Sequence, residues 1–177
     1  MANQNNTPFF QGIRIRNAGM VLLNNYIPML FERLKLTEAR QFVSESAQLQ
    51  AMHYLQFVTT GRSHTEEYDL ILNKILCGVI PTHPVINGID ISKEEIDLIE
   101  GMIQAVIGHW SAIGQSSVEG FRDKWLVRDG LMVETPERWE LTVDRRAYDV
   151  LINQSPFSFS IIHFPWMTKP LHVYWLS

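Results

Sequence analysis

Apolar residues recur at helical spacing through the first two thirds of the chain and alternate with polar ones through the last third. The clearest stripe is Ile96, Ile99, Ile103, Val106, Ile107 and Trp110, whose steps of three and four residues lay the side chains on one face of a helix. Ser92 and Glu95 mark its start: the serine hydroxyl can accept from the backbone N–H three residues on, and the glutamate reaches back to the serine N–H. The same pairing at Ser116 and Glu119 predicts that the chain stops near Gly114, turns, and begins a shorter helix carrying Phe121 and Trp125. These two helices are the predicted centre.

Upstream, Leu23, Tyr26, Ile27, Leu30, Phe31 and Leu34 make another stripe, interrupted by Pro28. Proline lacks the N–H and clashes with the carbonyl four residues back, so a kink or two helical pieces are predicted. After a charged connector, Ser44 or Ser46 caps a helix to about Thr59, with Ala47, Ala51, Tyr54, Leu55 and Val58 inward and Gly61 as its stop. A third box, Ser63 with Glu66, precedes Tyr68, Ile71, Leu72, Ile75 and Leu76, and Gly78 ends that helix. The loop from Val79 to Ile91 holds Pro81, Pro84 and Gly88 and returns the chain to the central helix.

Beyond Trp125 the period changes. Leu131–Glu134 and Trp139–Asp144 flank a Thr-Pro-Glu-Arg turn and predict a β-hairpin. Arg145–Asn153 reads equally as a helical turn or an extended arm. Ser158–Phe164 and Leu171–Trp175 read as two strands around the turn from Pro165 to Pro170. Gly12–Arg16 alternates and suits a short strand with Ile13 and Ile15 inward. The expectation is an α+β fold: an N-terminal helical part of about four to five helices (17–128) packed against a C-terminal antiparallel β-sheet of hairpins (131–176). The sheet is expected on the Ile96–Trp110 helix. Residues 1–11, polar and Asn/Gln-rich, read as a disordered tail or linker, and residues 12–177 as a single α+β domain.

Composition narrows the function. With 177 residues and a net charge of −4, the chain can bury a substantial core but offers no basic footprint for nucleic acid. Its one cysteine, Cys77, allows neither an internal disulfide nor a multi-cysteine metal site and suits a reducing compartment. No apolar run reaches transmembrane length, and MANQNNTPFF lacks the features of a signal peptide, so a cytoplasmic protein without membrane insertion is expected.

The histidines and serines are the candidates for chemistry. His163 and His172 alternate with apolar residues in strand candidates and could meet across a hairpin, but no carboxylate is placed to complete a metal site. His109 could serve Ser116 or Ser117, yet no strand-to-helix elbow surrounds either serine, and capping explains both. His53, beside an inner helix face, reads as a hydrogen-bonded core residue. In Asp144–Asp149 (DRRAYD), two arginines between acids suit a local ion-pair network, with an exposed docking patch as the alternative. Gly101 and Gly108 suit close helix packing. No catalytic, cofactor-binding or metal residue is assigned. The last third holds more large aromatics than one small sheet face needs, so protein binding is the preferred chemistry, with Phe157, Phe159, Trp166, Trp175, Arg145 and Arg146 as candidate contact residues.

A set of segments carries a resemblance: NAGMVLLNNYIPMLFERLKL, the helix around MHYLQFVTTG, EYDLILNKILCGV, VIGHW with SSVEGFRDKWLVRDG, WELTVDRRAYDVLI, and FSFSIIHFPWM with LHVYW. Together, in collinear order from Asn17 to Trp175, they look like the conserved globular region of contractile injection system tape measure proteins. The resemblance implies a structural part of a bacterial phage-tail-like particle, without catalysis or cofactor. Its partners would be tube, hub or spike, or baseplate proteins, with room for self-association, and its place would be the cytoplasm or the particle assembled there. Such proteins are thought to set tube length. Even a fully helical chain of this size would reach only roughly 270 Å, so the expectation is the terminal globular portion of a longer protein or a free-standing relative that keeps the docking domain. A soluble regulatory or chaperone-like binder is the alternative, and a small hydrolase using His109 or His163 and His172 the more distant one.

Overall fold

A computed structural model describes residues 12–175; the expected tail at residues 1–11 and the last two residues lie outside the described residues. The chain enters through β1 (Ile13–Ile15) and a 3-10 segment, Ala18–Leu23, all six residues of which are buried. Helix α1 (Ile27–Arg33) follows. The two helical pieces expected around Pro28 are present, but the break lies before the proline, which sits in the first turn of α1 where a missing N–H costs nothing. A two-strand hairpin, β2 (Thr37–Glu38) and β3 (Gln41–Phe42), leads to α2 (Glu45–Thr60).

Helix α2 starts at Ser44, whose hydroxyl accepts from the Ala47 N–H at 3.0 Å, and stops at Gly61, where φ is +75°. Its last turn is closed from outside. Buried Arg122 donates to the Val58 and Phe57 carbonyls at 3.0 and 3.2 Å, so a cation meets the negative end of the helix. A buried amide cluster ties α2 to its neighbours: Asn17 Nδ2 donates to Gln56 Oε1 at 2.8 Å and Asn73 Oδ1 at 2.7 Å, and Asn73 Nδ2 donates to the Met52 carbonyl at 2.8 Å.

A 3-10 turn, Glu67–Leu70, precedes α3 (Ile71–Leu76), where Asn73 stands. The expected Ser63–Glu66 box is not formed. The backbone there pairs with the returning loop instead, Thr65 N–H to the Asn87 carbonyl and Ile89 N–H to the Ser63 carbonyl, so the helix starts later. The Ser92–Glu95 box is made in both directions and opens α4 (Lys93–His109). The next helix, α5 (Val118–Phe121), is capped by Ser117 rather than Ser116, with the Gly120 N–H on the Ser117 hydroxyl at 2.9 Å. It widens into a π-helical turn, Arg122–Leu126, that buries Trp125. A Cβ on Gly19 would overlap the Trp125 carbonyl, so only glycine lets the Ala18–Leu23 segment lie directly on this backbone.

The sheet corrects the expected architecture. Strands β4 (Gly130–Glu134), β5 (Trp139–Val143), β6 (Ile161–Ile162) and β7 (Leu171–Tyr174) join β1 in one five-stranded sheet of order β1-β4-β5-β7-β6. The β4–β5 and β6–β7 hairpins and the β1–β4 pair are antiparallel, but β7 runs parallel to β5, so the sheet is mixed rather than antiparallel. Parallel neighbours need a long crossover. Residues 144–170 provide it, including a 3-10 helix, Ala147–Gln154, so helical structure is not confined to the N-terminal part. That helix resolves the ambiguous Arg145–Asn153 stretch. The N-terminal β1 is also in the sheet, and the strand expected over Ser158–Phe164 shrinks to two residues.

Register sends Ile15, Met132, Leu141, Val143, Leu171 and Val173 to one buried face. The Ala18–Leu23 segment lies against β5 on that side, while α4 packs on α2 and α5 rather than under the sheet as expected. Ala18 is the small residue that meets the sheet here, its Cβ only 3.0 Å from where a Cβ on Gly130 of β4 would stand, a tight fit. One hydrophobic cluster runs through the helices and the inner sheet face.

Candidate interaction surface

The six residues expected to contact partners are distributed by packing. Phe157 is buried, edge-on to Tyr26 at 5.8 Å and Trp110 at 6.1 Å. Trp175 is buried too: its indole N–H donates to Asp149 Oδ2 at 2.9 Å, and the Arg128 guanidinium lies 5.0 Å from its ring. Phe159, half-buried, lies 5.7 Å from Trp175. Half-buried Arg146 donates to the Tyr148 hydroxyl at 2.9 Å, and Arg145 is exposed. Contacts therefore gather Phe159 with Trp175, whereas Trp166 belongs to another cluster.

The acid and base run at 144–149 is chiefly structural. Asp149 takes the fully buried Arg128, not Arg145 or Arg146 side chains, at 2.7 Å, and it also accepts from the Arg146 backbone N–H at 3.0 Å. Burial by itself would raise its carboxyl, but the hydrogen bonds from Arg128, Trp175 and the Arg146 N–H outweigh it and hold the group below the usual carboxylate range. Asp144 pairs with Arg14 of β1 at 3.2 Å. Sequence reasoning missed Arg128, because nothing local marks an arginine whose partner stands on a later segment.

Trp166 sits where the two parts of the chain meet. Its indole N–H donates to the Leu76 carbonyl at 2.7 Å, and its ring lies 5.0 to 5.7 Å from Phe42, Phe164 and Phe31. Gly78 admits the Trp166 carbonyl, which a Cβ would overlap. The other edge of the indole opens onto a cleft of about 350 Å³. Pro28, Met29 and Glu32 of α1 form one wall and the tip of the β2–β3 hairpin, Ala39 and Arg40, the other. Both tip residues have positive φ, +51° and +63°, between the paired Glu38 and Gln41. Such two-residue turns favour Asn-Gly, so Ala-Arg stores strain at the cleft mouth. The lack of Gly or Asn is also why the sequence showed only a connector here.

The histidines do not assemble. His109 Nδ1 lies 2.9 Å from the Tyr26 hydroxyl, while Ser116 Oγ donates to the Ser117 carbonyl and Ser117 Oγ is the cap of α5. Register sets Ile161, not His163, opposite His172, and His163 turns to the Met167 carbonyl at 3.3 Å. Among the described residues no group of three or more His, Cys, Asp or Glu could hold a metal ion, and no helix is long and apolar enough to cross a membrane. Gly101 and Gly108 do not serve packing within the chain, since a Cβ on either would meet nothing within 4 Å.

No curated protein and no solved structure matches the chain. The segments that build the fold, from β1 through the Trp166 cluster to β7, all fall within one family match that spans residues 2–175, and the chain belongs to the contractile injection system tape measure protein family.

Proposed function

We propose that the chain acts as a docking part of a contractile injection particle, joining a tube, hub or baseplate protein through the Trp166 cleft, and that it carries out no catalysis. Membership of a structural particle family over nearly the whole length supports the assembly role. The cleft supports the place: an aromatic edge, the 43 % exposed Met29 and an arginine on a strained tip combine apolar area with a charged contact. Of the six expected contact residues Trp166 is the one that lines this cleft, while Phe157 and Trp175 are spent on the core.

The test is capture of purified tube, hub and baseplate proteins, each assayed separately on the full chain. The reading expects one of them to bind, and Met29→Asp with Arg40→Glu to weaken it at least tenfold without changing the melting temperature. Binding by none, with the chain absent from purified particles, would overturn it. Binding to free subunits combined with absence from finished particles would favour a chaperone-like role instead. Light scattering of the same material reports self-association.

A further inference from the structure

His53 stands on α2 with 2 % exposure; neither ring nitrogen makes a well-formed hydrogen bond, and the backbone of Ile86 is the polar group that acts on the ring. Buried polar groups are almost always paired, so a ring left without a well-formed hydrogen bond asks for an account. The ring lines a cavity of about 410 Å³ between the first half of α2 and the loop after α3. Leu49 and, across from it, Val85 and Ile89 form half-buried aliphatic walls; Ile86, 70 % exposed, and Glu45 stand at the rim. Ser46 and Gln50 also line it but bond each other at 3.1 Å, so His53 is the buried polar group facing an aliphatic cavity without a well-formed partner, the usual form of a small-ligand site.

The chemistry of the occupant follows from the ring. Burial, aided by the charge of nearby His64 and partly opposed by the Ile86 backbone, pushes the imidazole below its ordinary value, so it is neutral at pH 7, with one nitrogen donating and the other accepting. The charged group of the lining is the Glu45 carboxylate, which repels an anion, and the neutral ring itself offers a cation no counter-charge. A hydroxyl both donates and accepts, so it can satisfy either nitrogen in either tautomer. We propose that this cavity binds a neutral phenol-type group, an apolar ring held by the aliphatic walls whose hydroxyl hydrogen-bonds His53. No residue lines both this cavity and the Trp166 cleft, so the site stands apart from the docking reading.

The full chain, labelled for imidazole nitrogen and methyl NMR signals, is titrated with p-cresol, with toluene as its hydroxyl-free match. Expected are shifts of the His53 ring nitrogens and of the Leu49 and Ile89 methyls, with p-cresol binding at least tenfold more tightly than toluene. His53→Phe removes that preference; should it fail to fold, Ile89→Trp fills the cavity and abolishes the shifts. N-acetyl-tyrosinamide separates the sources: binding like p-cresol assigns the site to a tyrosine side chain, and exclusion assigns it to a free phenol. Equal binding of toluene and p-cresol, or no shift at His53 with either phenol, overturns the proposal.

Discussion

Arg128 and Asp149 meet with both side chains wholly out of solvent, Nη1 lying 2.7 Å from Oδ2 and 3.0 Å from Oδ1. The same guanidinium donates to the Asp144 and Lys124 carbonyls at 3.2 and 3.0 Å and is surrounded by the rings of Trp125, Tyr148 and Trp175. One arginine thus joins the π-helical turn, the crossover helix and the last strand. Asp149→Ala leaves that charge buried and unpaired, and a loss of about 3–5 kcal/mol is expected in urea unfolding. Removing both partners, Asp149→Ala with Arg128→Met, is expected to cost less than the single change; an equal or greater loss would mean that the aromatic contacts, not the pair, carry the stability.

Acidification is expected to weaken the fold in two stages. His53 has a lowered value in the folded chain, so the unfolded chain takes up its proton first; stability is full above the unfolded histidine value of about 6.5 and falls as pH drops toward the folded one. Asp149 is also lowered, so its contribution is present above about 3.9 and is lost as pH falls through its folded value. Urea midpoints from pH 8 to 3 read both, and His53→Leu should remove the first stage alone.

Two glycines are expected to respond in opposite directions to alanine. Gly19→Ala collides with the Trp125 carbonyl, a backbone atom that cannot step aside, and should destabilise by about 1–3 kcal/mol. Gly101→Ala sits in the exposed middle of α4 with open space around it and should stabilise by about 1 kcal/mol. Thermal unfolding of the two variants checks the sign of each.

At the hairpin tip, Ala39→Asn with Arg40→Gly replaces two strained residues by ones suited to positive φ. A gain of about 1–2 kcal/mol is expected. If the tip serves docking, the more stable variant should also bind its particle partner less well, which the capture assay measures on the same material.

Cys77 is fully buried, and burial pushes its thiol well above the ordinary value. It should therefore resist thiol reagents in the folded chain and react at once in denaturant. Rapid labelling under native conditions would show that α3 opens locally.

Short-range chemistry was readable wherever both partners lie within a few residues. The Ser92–Glu95 box, the Ser44 and Gly61 ends of α2 and the β4–β5 hairpin all follow from contacts of that kind. The boxes at Ser63 and Ser116 failed for a related reason: a loop pairing through Asn87 and Ile89 competed for the first, and a neighbouring serine of equal chemistry took the second. Trp166 was legible as a contact candidate from its type, but not the cleft beside it, because the opposing wall is a hairpin whose turn residues carry no turn signal. His53 was read as satisfied, since a helical stripe shows which face a ring occupies and not whether anything meets its nitrogens.

By itself the sequence determined the helical stripes, their caps, the change of period after Trp125 and the family, because each rests on residue order and on interactions spanning one or two turns. Only the tertiary structure decided that β7 lies parallel to β5, that β1 closes the far side of the sheet, and that Ala18–Leu23 rather than α4 lies against it. Alternation gives a strand the same two faces whichever neighbour it takes. What residue order does not carry is the meeting of groups distant in it: the Arg128–Asp149 pair fastens the crossover, and the bare Cα of Gly19 lets Ala18–Leu23 lie on the Trp125 backbone.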